Sequence, residues 1–421
     1  MWHKKQQPTF FSQQFESLVP GDDKFRVIKE NIDFTFINDL ARPSYGDVGP
    51  IGYVPDKLFR MLVVMYMENI ASERKLEERL KFDIRYRYFC DLDIMDEIPD
   101  HATFSVFRSR LGDELFKEIF ERLLEMIFAL GFEKPRHISI DSTSVIADCA
   151  RPISKKDKGD KQGGGSGAGS KAPADPDARW GIKGKKPSHF GYKAHYIVDS
   201  EKGLILGTET TSASAADVTV AKEILPKTLD RHRLDPAHLA ADKAYSSPEL
   251  RDALQAREIE AVIPLMHGGR NMNPGFSTID FEPIGDTLVC PAGNNMTRYD
   301  IKDGSAVFAG VGCASCSEKA LCTDAKRNIR RIKFRSNWQK RFAQVAFQKT
   351  DEFKELYKQR SSVERVNSEA KRQHGLTRAR YRRLKKVAVQ GYLTAIAINL
   401  KRTVGFLAAK APPKPALAGL V

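Results

Sequence analysis

No apolar run in the sequence is long enough to cross a bilayer. The longest stretches, such as MLVVMYM at 61–67, fall far short of the roughly 20 residues a spanning helix needs. The N-terminus, MWHKKQQPTFFSQQ, lacks the apolar centre of a secretory signal. Both absences point away from membranes and toward the cytoplasm. Cysteine is scarce, six in 421 residues. In an intracellular chain of this size that number excludes a disulfide scaffold and leaves thiols or metal ligands. Acid is short relative to base: 54 Asp and Glu stand against 68 Lys and Arg, a formal charge of +14. Such an excess points to a polyanionic partner, with nucleic acid the default. At 41% apolar the chain can bury a real core, in two or three domains.

From Val54 to Leu130 the pattern is helical. Pro55 suits a first turn, Asp100–His101 resembles a cap, and Gly112 and Gly131 are plausible stops. Ser105, Arg108 and Arg110 line a basic, polar strip, the residue mix of a helix read against DNA. An ordinary helical domain with a solvated face has the same composition. Strand signals begin at 137, with Ile138 and Ile140 on one face and Ser139, Asp141 and Thr143 on the other. Asp141 therefore sits mid-strand, where propensity disfavours a carboxylate. It is either a solvated edge position or a ligand. A Gly-, Ser- and Lys-rich flexible loop at 154–176 follows. A hairpin then runs through 190–199 and 204–213, joined by SEKG. DVTVAKEILPKTLD reads as a helix, HLAADKAYSS as a strand with Asp242 near its end, SPELRDALQARE as a helix and EAVIPL as a strand. This order predicts an α/β fold with a mixed sheet layered by helices.

Between 266 and 345 the alternation breaks, and Cys290, Cys313, Cys316 and Cys322 fall close together. Thiolates at these spacings can complete a tetrahedral zinc shell and so stabilise an otherwise core-poor subdomain. Free thiols, or a redox pair at Cys313 and Cys316, are the other readings. Cys90 and Cys149 read as inert. The basic surplus sits in two stretches: eight Lys/Arg and no acid from Lys326 to Arg341, and nine with one acid from Arg365 to Lys386. GYLTAIAINLKR closes as an apolar helix that can cover the sheet, and the tail from Lys410 reads as disordered.

The stretch Leu356 to Arg372 reads as one helix carrying Tyr357, Arg360, Glu364 and Lys371 on a single face, at steps of three, four and seven. A cationic stripe with one embedded carboxylate suits a divalent metal beside a phosphate. A solvated face with an Arg–Glu pair is the plainer reading. Asp141, Asp242 and Glu364 lie on two strands and a helix. Three carboxylates converging at the ends of neighbouring elements can hold two divalent ions for an in-line phosphoryl displacement. Among 54 acids the choice of three is not unique.

These residues together resemble the DDE transposases of bacterial insertion sequences. Tyr357, Arg360, Glu364 and Lys371 match the family's Tyr-x2-Arg-x3-Glu-x6-Lys signature without a gap. Asp141 in SIDSTSV and Asp242 in AADKAYSS resemble its two aspartate motifs. FGYKAHYIVD, DIRYRYFCDL and PDHATFSVFRSRL are also similar to family text. The resemblance covers roughly 30–400, and the cysteine-bearing insertion resembles one branch of the family.

The resemblance implies an RNase H-like core with an all-α N-terminal domain and a small cysteine-rich insertion. The boundaries expected are a leader at 1–23, a DNA-binding helical domain at 24–132, the core at 133–265 and 346–407, the insertion at 266–345 and a tail at 408–421. It implies cleavage at the element's ends and strand transfer into target DNA, with two Mg2+ or Mn2+ ions held by Asp141, Asp242 and Glu364. Tyr357, Arg360 and Lys371 would contact phosphates, with Arg372, Arg378, Arg108 and Arg110 as further DNA-binding candidates. Double-stranded DNA is the implied partner, bound by a homodimer near the bacterial nucleoid, and Zn2+ the expected structural ion. Phosphoryl transfer needs positioning and charge neutralisation more than covalent help. The rivals are a nuclease that cuts without joining, a zinc-containing DNA-binding descendant without catalysis, and an interaction scaffold. Trp180 and Trp338 could stack on a flipped base, though ordinary packing suits them better.

Overall fold

The computed structural model describes residues 17–46, 52–150, 174–183, 186–265, 275–301, 304–325, 327–334 and 338–410. Most of the leader, nearly all of the loop expected at 154–176 and the tail from 411 lie outside the described residues. The chain forms two compact units, 1–236 with 361–421, and 237–360. The helices of 24–132 thus share a unit with the first strands and the last helices.

The first unit opens with α1 (Lys24–Asn31), α2 (Phe36–Ala41), α3 (Pro55–Met67), α4 (Glu73–Phe82), α5 (Ile84–Phe89) and α6 (His101–Ala129). Local chemistry sets their starts. Asp23, Ser72, Asp83 and Asp100 each accept a hydrogen bond from a backbone N–H of the first turn that follows. Pro55 occupies the first turn of α3, where its missing N–H costs nothing. The stop expected at Gly112 is a kink inside α6: its φ of 71° and ψ of 174° are non-helical, in the region glycine enters freely.

Four strands and a helix follow: β1 (His137–Ile146), β2 (Arg179–Lys183), β3 (Lys186–Asp199), β4 (Ile205–Ser212) and α7 (Asp217–His232). β3 pairs antiparallel with β1, β2 and β4, and its register sets Asp141 opposite Tyr196. Asp199 shapes the β3–β4 turn by accepting from the N–H groups of Glu201 and Lys202 at 2.9 and 3.0 Å. Gly207 lets α7 approach β4, since a Cβ there would lie 2.3 Å from Thr228 Oγ1.

The second unit contains β5 (His238–Ala241), α8 (Pro248–Gln255) and β6 (Glu260–Val262), with β5 and β6 parallel. Then come β7 (Glu282–Ile284), β8 (Thr287–Val289), β9 (Thr297–Asp300), β10 (Ala306–Ala309), α9 (Lys319–Cys322), β11 (Arg331–Phe334), α10 (Trp338–Lys349) and α11 (Asp351–Lys358). β7–β8 is a hairpin, and β10 lies between β9 and β11 in an antiparallel sheet. This cysteine-bearing segment is not core-poor. Phe308 is surrounded by Phe334, Trp338 and Phe342, with ring centroids 5.3–5.7 Å apart. Phe281, Leu288, Met296 and Ile332 complete the cluster. Trp338 is therefore a core residue here.

The chain returns to the first unit as α12 (Ser361–Gln373) and α13 (Leu384–Lys410). The single helix expected over Leu356–Arg372 is two helices. At the end of α11 the N–H groups of Gln359 and Arg360 turn back to the carbonyls of Leu356 and Tyr357 at 3.1 Å. These i→i−3 bonds close the helix. Ser361 and Ser362, residues suited to helix starts, begin the next one.

α13 is buried without interruption from Val387 to Leu400, as a helix apolar on all sides must be. It packs on α3, α6 and β4. Its buried Asn399 satisfies both amide groups on β4, bonding Ile205 N and Ile205 O at 2.8 Å each. No helix among the described residues is long and apolar enough to cross a membrane.

Candidate active site

Asp141 lies in the middle of β1, half-buried. Across from it runs α12, which presents Glu364, Asn367 and Lys371 at steps of three and four, one helical face. Two contacts fix this face on β1. Asn367 Nδ2 donates to Asp141 Oδ2 at 3.2 Å, and Lys371 Nζ donates to Ser144 Oγ at 3.2 Å. The tertiary structure thus brings Asp141, Lys371 and the Glu364 face together within one unit. Glu364 is exposed at the start of α12, while burial lowers the Lys371 pKa from its usual value. Asn367 was not among the sequence candidates, although it stands one turn after Glu364 on the same stripe. Its amide hydrogen-bonds the carboxylate without adding charge.

Also on α12, Glu369 sits between Arg402 and His374. Burial alone would raise its pKa, but the neighbouring His374 and the Arg402 charge outweigh that and lower it. On β3, His195 is fully buried, with Nε2 2.9 Å from Thr211 Oγ1 and Nδ1 3.9 Å from Asp217. Lys193 and Ser142 donate hydrogen bonds to Asp217 Oδ1. Burial pushes the His195 pKa down to about 4 despite the nearby carboxylate.

Asp242, Tyr357 and Arg360 belong to the second unit. Asp242 follows β5 directly, and its Oδ1 accepts from Ala244 N at 2.7 Å to start a short 3-10 turn. Tyr357 stacks on Phe353, with ring centroids 5.8 Å apart and 9° between planes. Phe353 itself packs with Ala240 and Val262, so α11 covers the two parallel strands.

Among the other DNA-binding candidates, Arg108 is buried. It pairs with Glu73, and its guanidinium lies 4.2 Å over the Tyr381 ring. Arg110 lies 4.3 Å over Tyr45. Arg372 is exposed, and Arg378 Nε is 3.3 Å from Asp148 Oδ1.

In the second unit Cys290, Cys313, Cys316 and Cys322 line one small cavity of about 20 Å³, room for a single ion or water. All four are free thiols. Burial pushes the Cys322 thiol up; Arg330 opposes this, and the other three sulfurs add to it. The donor set and the cavity fit zinc. Its tetrahedron, with bonds of about 2.3 Å, would hold the sulfurs roughly 3.8 Å apart. The present thiols are more open than that. Among the described residues, the group with three ligand atoms all within 4.8 Å is Glu77, Asp100 and His101. There Asp100 caps α6 and Glu77 accepts from His101 N, the chemistry of a helix start.

Among solved structures, a piggyBac transposase synaptic complex with hairpin DNA is similar at 12% identity over 92% of this chain and 75% of that one, with a TM-score of 0.41. A Mos1 transposase paired-end complex with the left transposon end is similar at 14% identity over 51% and 61%, with a TM-score of 0.17. The family models say more. One described as Transposase domain (DUF772) matches residues 13–110. Another, described as Transposase DDE domain, matches residues 132–400, a span that contains Asp141, Asp242 and Glu364. With well over half of its length matched by that model, the chain belongs to the transposase DDE-domain family.

Proposed function

We propose that the protein is a DNA transposase that binds the ends of its own insertion sequence, cuts them and joins them to target DNA. The observation that carries this reading is the DDE-domain match over 132–400, which spans the three carboxylates singled out by their positions on strands and helix. Asp141, Asp242 and Glu364 are the proposed holders of two divalent ions, Mg2+ or Mn2+. Bound there, the ions would supply charge neutralisation at the attacking and leaving oxygens of an in-line displacement. Two features of the first unit support this. Asp141 is held from the side by the neutral amide of Asn367, which fixes the carboxylate beside the Glu364 face. Glu364 faces solvent, where an ion and a phosphate have access.

Tyr357, Arg360, Lys371, Arg372, Arg378 and Arg110 are proposed phosphate contacts, while the buried Arg108 is proposed to position its neighbours. The four thiols of the second unit are proposed to hold a structural Zn2+ that draws Cys290 toward the Cys313–Cys322 segment. The domain boundaries expected from sequence, an RNase H-like core, a homodimer on paired ends and a place on the bacterial nucleoid complete the reading.

The test uses the full chain, Mg2+ or Mn2+, and duplexes carrying the sequences that flank the coding region. Cleavage at the element boundary followed by a joined product is the expected result. Cleavage without joining would mark a nuclease instead. Asp141→Asn, Asp242→Asn and Glu364→Gln should each abolish both steps; a variant that cuts normally would remove its residue from the site.

A further inference from the structure

A cleft of about 950 Å³ opens in the first unit between the first half of α6 and the segment that leads into α13. One wall carries Ser105, Ser109, Gly112 and one carboxylate, Asp113. The other carries Arg382, Arg383, Lys385 and Lys386, with Asp177 as its one carboxylate, so four cations face two acids. Arg108 and Tyr381 lie between them. Tyr381 donates its hydroxyl to Glu73 Oε1 at 3.3 Å, and the same carboxylate pairs with Arg108. That floor is hydrogen-bonded and locally neutral.

The cationic wall is different. All four of its side chains are exposed. Arg382 Nε donates to a backbone carbonyl, that of Asp148, at 3.0 Å, so its charge is not compensated there. Lys385 Nζ comes only within 4.0 Å of Asp113 Oδ1. Arg383 and Lys386 form no ion pair among the described residues.

The backbone beneath these cations is pinned. Asp175 Oδ1 accepts from Arg383 N at 3.1 Å, and Asp177 Oδ2 accepts from Leu384 N at 2.9 Å. Gln390 bonds both Arg380 N and Arg378 O, at 2.7 and 3.0 Å. Four cations are therefore displayed on a fixed frame, opposite two hydroxyls four residues apart on one helical face. Small-molecule pockets are lined mainly by apolar groups, and Val389 is the one aliphatic residue lining this cleft. Cations and hydroxyls are the donors that meet phosphate and sugar oxygens.

We infer that this cleft seats the sugar–phosphate backbone of duplex DNA, with Arg382, Arg383, Lys385 and Lys386 neutralising phosphates and Ser105 and Ser109 donating from the facing helix. The inference rests on the transposase reading and names a binding surface for it beyond the carboxylates.

Two full-length variants test it: R382A/R383A/K385A/K386A, and S105E/S109E, which places negative charge on the facing wall. Thermal melting by circular dichroism checks their fold. Affinity for a labelled mixed-sequence DNA duplex is read by anisotropy across a KCl series, with single-stranded RNA as the second probe. The four-alanine variant should bind duplex at least about tenfold more weakly, and its salt slope should be shallower by about 0.9 for each phosphate that is no longer neutralised. S105E/S109E should also weaken duplex binding. Wild-type affinity and slope in both folded variants would overturn the assignment, as would losses confined to RNA. Element-end cleavage by the wild-type protein separates the two claims. Cleavage with unaltered variant binding removes only the cleft. Cleft-dependent binding without cleavage removes the transposase reading. Absence of duplex binding by the wild-type protein removes both.

Discussion

Asn367 donates its amide to Asp141 across the interface between α12 and β1, at 3.2 Å. A carboxylate in the middle of a strand is disfavoured by propensity, and this side-chain amide stabilises it without neutralising it. The bond also orients the carboxylate, the role that such bonds play for metal ligands and the one it would have under the proposed function.

Replacing Asn367 with Leu keeps the branched shape and removes the donor. Element-end cleavage should fall about 10- to 100-fold, the usual effect of losing a group that orients a ligand. Duplex affinity should not change, because no cation is removed. The activity should also need more Mn2+ for half-saturation. An Asn367→Leu protein with the wild-type rate and Mn2+ dependence would show that the bond is incidental.

Glu364→Gln and Arg360→Ala should separate chemistry from binding. The first retains shape and removes the charge a divalent ion needs, so cleavage should vanish while end binding stays level or tightens slightly. The second removes a proposed phosphate partner, so binding should weaken by about 1–3 kcal/mol along with activity. If the two residues were merely a surface pair, both changes would be nearly silent, at ~1 kcal/mol or less.

Zinc should be present at one ion per chain, and Cys313→Ser or Cys316→Ser should release it and lower the melting temperature. The reason is that four thiolates around one ion add binding free energy to folding. Elemental analysis finding no zinc, with four freely titratable thiols, would rule the site out. Because Phe308, Phe334, Trp338 and Phe342 form a core of their own, the segment should loosen on metal loss without unfolding completely.

Stability should decline as pH falls from about 7.5 to 5. His195 is held down to about 4 by burial, with Asp217 opposing and Lys193 adding to the effect. His232 is also held down to about 4 by burial, aided by Arg231 and Lys134, and lies 3.8 Å from Glu125. The sign follows from proton linkage. Below about 6.5 the unfolded chain binds protons that the folded chain refuses, so stability present above that pH is lost toward pH 4. Over this window each histidine should account for roughly 1–2 kcal/mol. Urea titrations at pH 7.5 and 5 read the loss, and His195→Gln with His232→Gln should flatten it. An equal loss in the double variant would assign the effect to other groups.

The sequence by itself determined what nearest neighbours along the chain decide. The cap at Asp100, proline at the start of α3, alternation through β1, the β3–β4 hairpin and the apolar run of α13 all follow from local rules acting over a few residues. The mid-strand position of Asp141 and the helical spacing of Glu364 and Lys371 were legible for the same reason. Partnership between distant segments was not. The pairing of Arg108 with Glu73 and Tyr381, the aromatic core around Phe308 and the bond from Asn367 to Asp141 join residues from about 25 to more than 200 positions apart. Nothing in their local spacing encodes those meetings. The end of α11 at Lys358 belongs with them, because Tyr357 faces Phe353 in the core of one unit while Glu364 lies on the other. Periodicity carried one helix across that point, and burial against two separate surfaces divided it.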